Sequence, residues 1–114
     1  MNIICTSIEQ SKILAEFLPL ESADICYLHE NGQAKMMSPS KLSEILNVSK
    51  PQVIPCWSLA ALFDVLPKGT RFLKSTTDDT YHCDCPKGNI DKWFDNPVDA
   101  CVEMIIKLHE LNLL

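Results

Sequence analysis

Along this chain the apolar residues fall in short runs whose spacing switches between the two-residue period of strands and the 3.6-residue period of helices. After the apolar run "NIIC" at 2–5, Ser7 and Gln10 stand at capping-box spacing, which predicts a helix from about Ile8 to Phe17. Leu14, Phe17 and Leu18 form its apolar face with Ile13 beside them, and Pro19 stops it. The segment "ADICYLHENGQAKMM" predicts a hairpin over 24–37, turning at Asn31 and Gly32, a pair suited to positive φ. In "SPSKLSEIL", Ser38 as N-cap and Pro39 at the first helical position predict a short helix with Leu42, Ile45 and Leu46 inward.

Pro51 and Pro55 bracket an extended piece, and Leu59, Leu62, Phe63 and Leu66 then recur as a buried helical stripe ended by Pro67 and Gly69. A second hairpin is expected in "TRFLKSTTDDTYHCDC", turning around Asp78 and Asp79. The last helix has Asn96 as N-cap, Pro97 at N1 and Asp99 at N3, and extends nearly to the C-terminus. Its polar side carries Asp99, Glu103, Lys107 and Glu110, opposite Val98, Val102, Ile105 and Leu108 to His109. Helices interspersed with hairpins predict an α+β fold: one small domain over 1–114, with a mainly antiparallel sheet of two hairpins plus a short N-terminal strand, packed against three or four helices.

Composition changes this picture little. With 114 residues, 46% hydrophobic and 22% charged, the chain has the make-up of a folded domain rather than a disordered one. Ten Lys and Arg against fifteen Asp and Glu leave a net charge of -5, which disfavours nucleic acid as a partner; Lys68, Arg71 and Lys74 are expected to form a solvated rim. The opening residues have no basic leader or long apolar core, and no apolar stretch reaches the ~20 residues of a membrane span. A cytoplasmic protein with no membrane association is expected. Six cysteines in such a chain are expected to be reduced rather than paired in a disulfide framework.

The stretch "YHCDCPKG" at 81–88 concentrates residue types that ligate zinc. Zinc pairs are usually spaced C-x₂₋₄-C, whereas Cys83 and Cys85 are spaced C-x-C, and in a strand His82 faces away from both. A strand with two packed thiols is therefore expected, with Cys83 and Cys85 as the alternative metal candidates. Cys56, near a helix start, is a candidate nucleophile that lacks an identifiable base among His29, His82 and His109; packing beside Trp57 is expected instead. The acid pairs Asp78 with Asp79 and Asp91 with Asp95 do not fit a calcium loop, and with three glycines there is no phosphate-cradling motif. Trp93 and Phe94 are expected to plug the sheet beneath the last helix; alternatively they lie at the surface, where an aromatic pair anchors a partner.

Two segments, "IPCWSLAALFDVLP" and "FDNPVDACVEMIIKLHELNLL", resemble a family of short uncharacterised bacterial proteins with P-x-W-S-L-x-x-L-x-x-x-L-P and D-N-P-x-D-A signatures. Pro55, Trp57, Ser58, Leu59, Leu62, Leu66 and Pro67 match the first, and Asp95, Asn96, Pro97, Asp99 and Ala100 the second. The resemblance implies a small bacterial cytoplasmic domain and brings no catalytic residue with it. No cofactor is expected. The expected function is non-enzymatic, through contact with a protein partner or as a homodimer; the alternative is a metal- or thiol-dependent protein using Cys83, Cys85 and Cys56.

Overall fold

The computed structural model describes residues 5–28, 33–36, 53–90 and 92–114. The turn expected at Asn31 and Gly32, the helix expected over 38–46, Pro51, His29 and Asp91 lie outside the described residues, as does most of the N-terminal run. The class is α+β, with antiparallel strands in two three-stranded sheets. The contacts gather into two compact units, Met1–Ala61 and Leu62–Leu114.

In the first unit the capping box forms as expected: Ser7 Oγ accepts from the Gln10 N–H at 3.1 Å, and Gln10 Oε1 accepts from the Ser7 N–H at 2.9 Å. Helix α1 (Ile8–Ala15) follows, burying Ser11 and Leu14. Leu18 is buried just beyond it, whereas Ile13 is 46% exposed. A 3-10 turn at Leu20–Ser22 leads into β1 (Ile25–Leu28), which pairs with β2 (Gln33–Met36) as the expected hairpin. The extended piece around Pro55 is a third strand, β3 (Val53–Cys56), paired with β1 from Ile25 opposite Cys56 to Leu28 opposite Val53. The order β2-β1-β3 puts β3 last among the described strands, a position that tolerates a proline without its N–H. Cys5 makes an antiparallel bridge to Ser58. Helix α2 (Leu59–Val65) contains the division point; of the expected buried stripe Leu62 and Leu66 are buried, but Phe63 is not, being 42% exposed, because the helix buries a narrower face than the spacing implied.

The second unit begins with a turn in which the Thr70 N–H donates to the Pro67 carbonyl at 3.2 Å. Gly69 adopts φ 88°, a conformation that favours glycine, and a Cβ there would also stand 3.1 Å from Pro86 Cγ, a tight contact. Strands β4 (Arg71–Lys74) and β5 (Tyr81–Cys85) form the second expected hairpin, from Arg71 opposite Asp84 to Lys74 opposite Tyr81. In the connection, Ser75 Oγ accepts from the Thr77 N–H, and Asp78 Oδ1 accepts from the Thr80 N–H, both at 3.1 Å. The chain then doubles back as β6 (Gly88–Asn89), and further along β5 Phe94 exchanges both main-chain bonds with Tyr81, at 2.7 and 2.8 Å. Thus β5 is flanked by β4 on one side and by residues of 88–94 on the other.

Helix α3 (Pro97–Glu110) starts where Asn96 Oδ1 accepts from the Val98 N–H at 2.8 Å. It packs on β5 and β6, with Val98, Ala100, Cys101, Val102, Met104, Ile105 and Leu108 buried and Glu103, Lys107 and Glu110 exposed. His109, expected near the apolar side, is exposed.

Candidate functional site

The alternation of β5 is as expected. Cys83 and Cys85 are 3% and 4% exposed, and His82, one residue before Cys83, lies on the opposite face with Asp84. Cys83 lies against Cys101 of α3, whose S–H donates to it; this bond and burial push the Cys101 thiol up, while the same bond draws Cys83 down against its own burial. Among the described residues no group of three or more His, Cys, Asp or Glu is arranged to hold a metal ion. Asp78, read as a turn residue, is one: the bonds from Thr80 and Ser75 hold its carboxyl below the usual carboxylate range.

Cys56 closes β3 in the core of the first unit with no exposed surface. Burial, then the neighbouring Cys5, Cys26 and Asp24, push its thiol up, the reverse of what a helix start would do for a nucleophile. Around it runs a polar network. The Thr6 hydroxyl meets that of Ser11 at 2.7 Å and accepts from the Trp57 N–H at 3.1 Å. The Tyr27 hydroxyl donates to the Thr6 carbonyl at 2.8 Å and receives the Cys5 S–H at 3.6 Å. Trp57 Nε1–H donates to Ser22 Oγ at 2.9 Å, while Asp24 accepts both the N–H of Ser58, at 2.9 Å, and its hydroxyl. No buried side-chain nitrogen or oxygen among the described residues lacks a partner, so this network holds the unit together and leaves no donor poised for a ligand.

Surface features are therefore the better candidates. A shallow recess of about 270 Å³ beside α3 is lined by Ile90, Glu103, Ile106, Lys107 and Glu110, an apolar floor with two carboxylates and one ammonium at its rim. The outer face of the second sheet is more distinctive. The pairing places Arg71, Leu73, His82 and Asp84 on it, and Phe72, Lys74, Tyr81 and Cys83 on the face toward α3. Phe72 and Tyr81 stack with centroids 5.9 Å apart on that inner face.

Trp93 joins the outer face. Its ring lies 5.1 Å from that of His82, and His82 Nδ1–H donates to the Lys92 carbonyl at 3.1 Å, which fixes the imidazole and turns Nε2 away from that bond. Trp93 is 45% exposed and does not plug the sheet beneath α3. The reason is register: Phe94 pairs directly with Tyr81 and shares its face, so Trp93, one residue earlier, turns the other way. Phe94 is half-buried with the Lys92 ammonium 5.1 Å from its ring centroid. Beside Trp93 and His82 stand Leu73, 39% exposed, and the Arg71–Asp84 ion pair.

The strand pattern foreshadowed the separation of His82 from the thiols, but Leu73 was missed. Its signal was the pairing with His82, which follows once the hairpin register is known. Among the described residues no helix is long and apolar enough to cross a membrane. Comparison with known families, curated proteins and solved structures gives no match for this chain.

Proposed function

We propose that the chain is a non-enzymatic domain that works in the bacterial cytoplasm by binding another protein, and that the outer face of the second sheet is its contact surface. The observation that carries this reading is Trp93: a large ring left 45% exposed, yet fixed against a hydrogen-bonded His82. An aromatic side chain held in one orientation loses little freedom on binding and supplies much of the area a partner can cover, as anchor residues of interfaces do. Leu73 extends the apolar patch, and Arg71 with Asp84 gives it a polar rim.

The likeness to short bacterial proteins supports a shared fold rather than a shared reaction. Its signature residues act here as a cap at Asn96, a first helical position at Pro97, and core positions at Trp57, Leu62 and Leu66. The test is in-cell photocrosslinking with benzoylphenylalanine at position 93, and at Thr76 in the exposed connection as the control. A discrete adduct from 93 and none from 76 supports the contact surface. No adduct from 93, with the variant folded, sinks it.

A further inference from the structure

The hydrogen-bond parity of the second sheet identifies what one of its edges offers. Ser75 donates its N–H to the Thr80 carbonyl at 2.9 Å, and Tyr81 spends both main-chain groups on Phe94, on the side away from β4. In an antiparallel ladder bonded and non-bonded pairs alternate, so Leu73 bonds to His82, while the N–H and C=O of Phe72 and Lys74 point away from β5. Among the described residues no strand pairs with that side of β4, and Arg71, Leu73 and Lys74 are exposed. Such an edge is a template for one more strand.

The charges at the edge select what adds. Lys68 and Lys74 are exposed, the Lys74 ammonium lying 5.8 Å from the Tyr81 ring centroid. Arg71, whose side chain is 69% exposed, is bridged to Asp84 but can still present donors outward. Of the acids in the β4–β5 connection, Asp78 is turned back onto Thr80, and Asp79 is exposed at the far end of the hairpin. A second copy of the chain is disfavoured, because β4 against β4 would line one seam with two sets of Lys68, Arg71 and Lys74.

We propose that the free edge of β4 binds an extended acidic peptide segment of a partner protein by strand addition. The segment pairs with Phe72 and Lys74 through its main chain. It places carboxylates opposite Arg71 and Lys74 and apolar side chains opposite Phe72 and Leu73, giving the run acid, apolar, apolar, acid. This deepens the proposed contact surface and rests on it, since Leu73 belongs to both.

The probe is a fluorescein-labelled octapeptide with a central glutamate, valine, leucine, glutamate run, titrated into the full chain labelled with ¹⁵N. Binding is expected to be saturable. The Phe72 and Lys74 amides become protected from hydrogen exchange on binding, while Leu73, already bonded, changes little. Lys74→Glu, verified as folded by its spectrum, is expected to weaken binding at least about tenfold, the loss of one charge-assisted pair, and N-methylation of the two peptide amides that face β4 to abolish it. Binding that survives N-methylation, or that shifts Trp93 without protecting Phe72 and Lys74, overturns strand addition while leaving the Trp93 surface intact. Protection of those amides without peptide, together with a dimer in sedimentation, assigns the edge to a second copy and equally overturns the proposal. No saturable binding up to about 1 mM, a free energy near -4 kcal/mol, overturns it as well. The Trp93 reading fails separately, through the crosslinking result.

Discussion

In Met1–Ala61, side chains far apart in sequence are joined by hydrogen bonds in or beside the core: Trp57 to Thr6 and Ser22, Ser58 to Asp24, and Tyr27 to Thr6. In Leu62–Leu114, apart from the buried thiol bond from Cys101 to Cys83, the described side-chain hydrogen bonds are local or exposed, and the apolar flank of α3 does most of the joining. Directional bonds fix where each group must stand and penalise any group left unmatched; apolar burial tolerates substitution as long as volume is kept. The first unit should therefore respond to loss of polar partners, and the second mainly to loss of volume. Each unit holds one tryptophan, so Trp93→Phe leaves Trp57 to report on the first, and Trp57→Phe leaves Trp93 to report on the second.

The largest effect is expected from Trp57→Ala. It empties a fully buried indole site and strands Ser22 and should cost about 3–5 kcal/mol, read as a lower urea midpoint by circular dichroism. Trp57→Phe keeps most of the volume, so the difference between the two variants separates packing from the Nε1 bond.

A sharper comparison sets Asp24→Ala against Arg71→Ala. The first leaves the Ser58 N–H and hydroxyl without their acceptor and should cost about 1.5–3 kcal/mol. The second removes an exposed ion pair and should cost at most about 1 kcal/mol. Equal losses in urea titration would show that polar partners matter no more in one unit than in the other, and the contrast would be gone.

The smallest effect is read by pH. In the first unit, burial raises both the Cys56 thiol and the Tyr27 phenol, so the folded state holds those protons more tightly than the unfolded chain. Their contribution is whole below the unfolded pKa values, ~8.5 for the thiol and ~10 for the phenol, and is lost as pH rises beyond them, at about 1.4 kcal/mol per pH unit for each group. In the second unit the lowered Cys83 has made its whole contribution by the unfolded thiol pKa, and above it the raised Cys101 loses stability at the same slope as Cys56. The thiols alone should lower both urea midpoints alike, and between about pH 10 and 11 the midpoint reported by Trp57 should fall more than that reported by Trp93, because only the first unit adds the Tyr27 phenol. An equal fall at both tryptophans breaks the comparison.

How much of this was legible in the sequence depended on distance along the chain. The Ser7 and Asn96 caps, the β4–β5 hairpin and the alternation at Cys83 and Cys85 are local, and their signals lie within a few residues. Pro55 obscured β3, because a proline in a run argues against a strand unless the strand is at an edge, and edges are a property of the assembled sheet. The division of strands between two sheets was hidden for the same reason, since periodicity names a strand without naming its neighbour. Trp93 and Phe94 could be assigned to faces only once Phe94 was seen opposite Tyr81. Asp24, Thr6 and Ser22 carry no motif, and the signature that contains Ser58 does not name its partner; only folding brings them together.

Gly69 has a consequence for how this chain can change over generations. Its left-handed backbone disfavours nearly every side chain, and Pro86, 3.1 Å from where a Cβ would sit, crowds any other. Sequence drift is disfavoured there and free in the exposed stretch a few residues on. In descendants of this chain, position 69 should stay glycine while Thr76 to Asp79 vary.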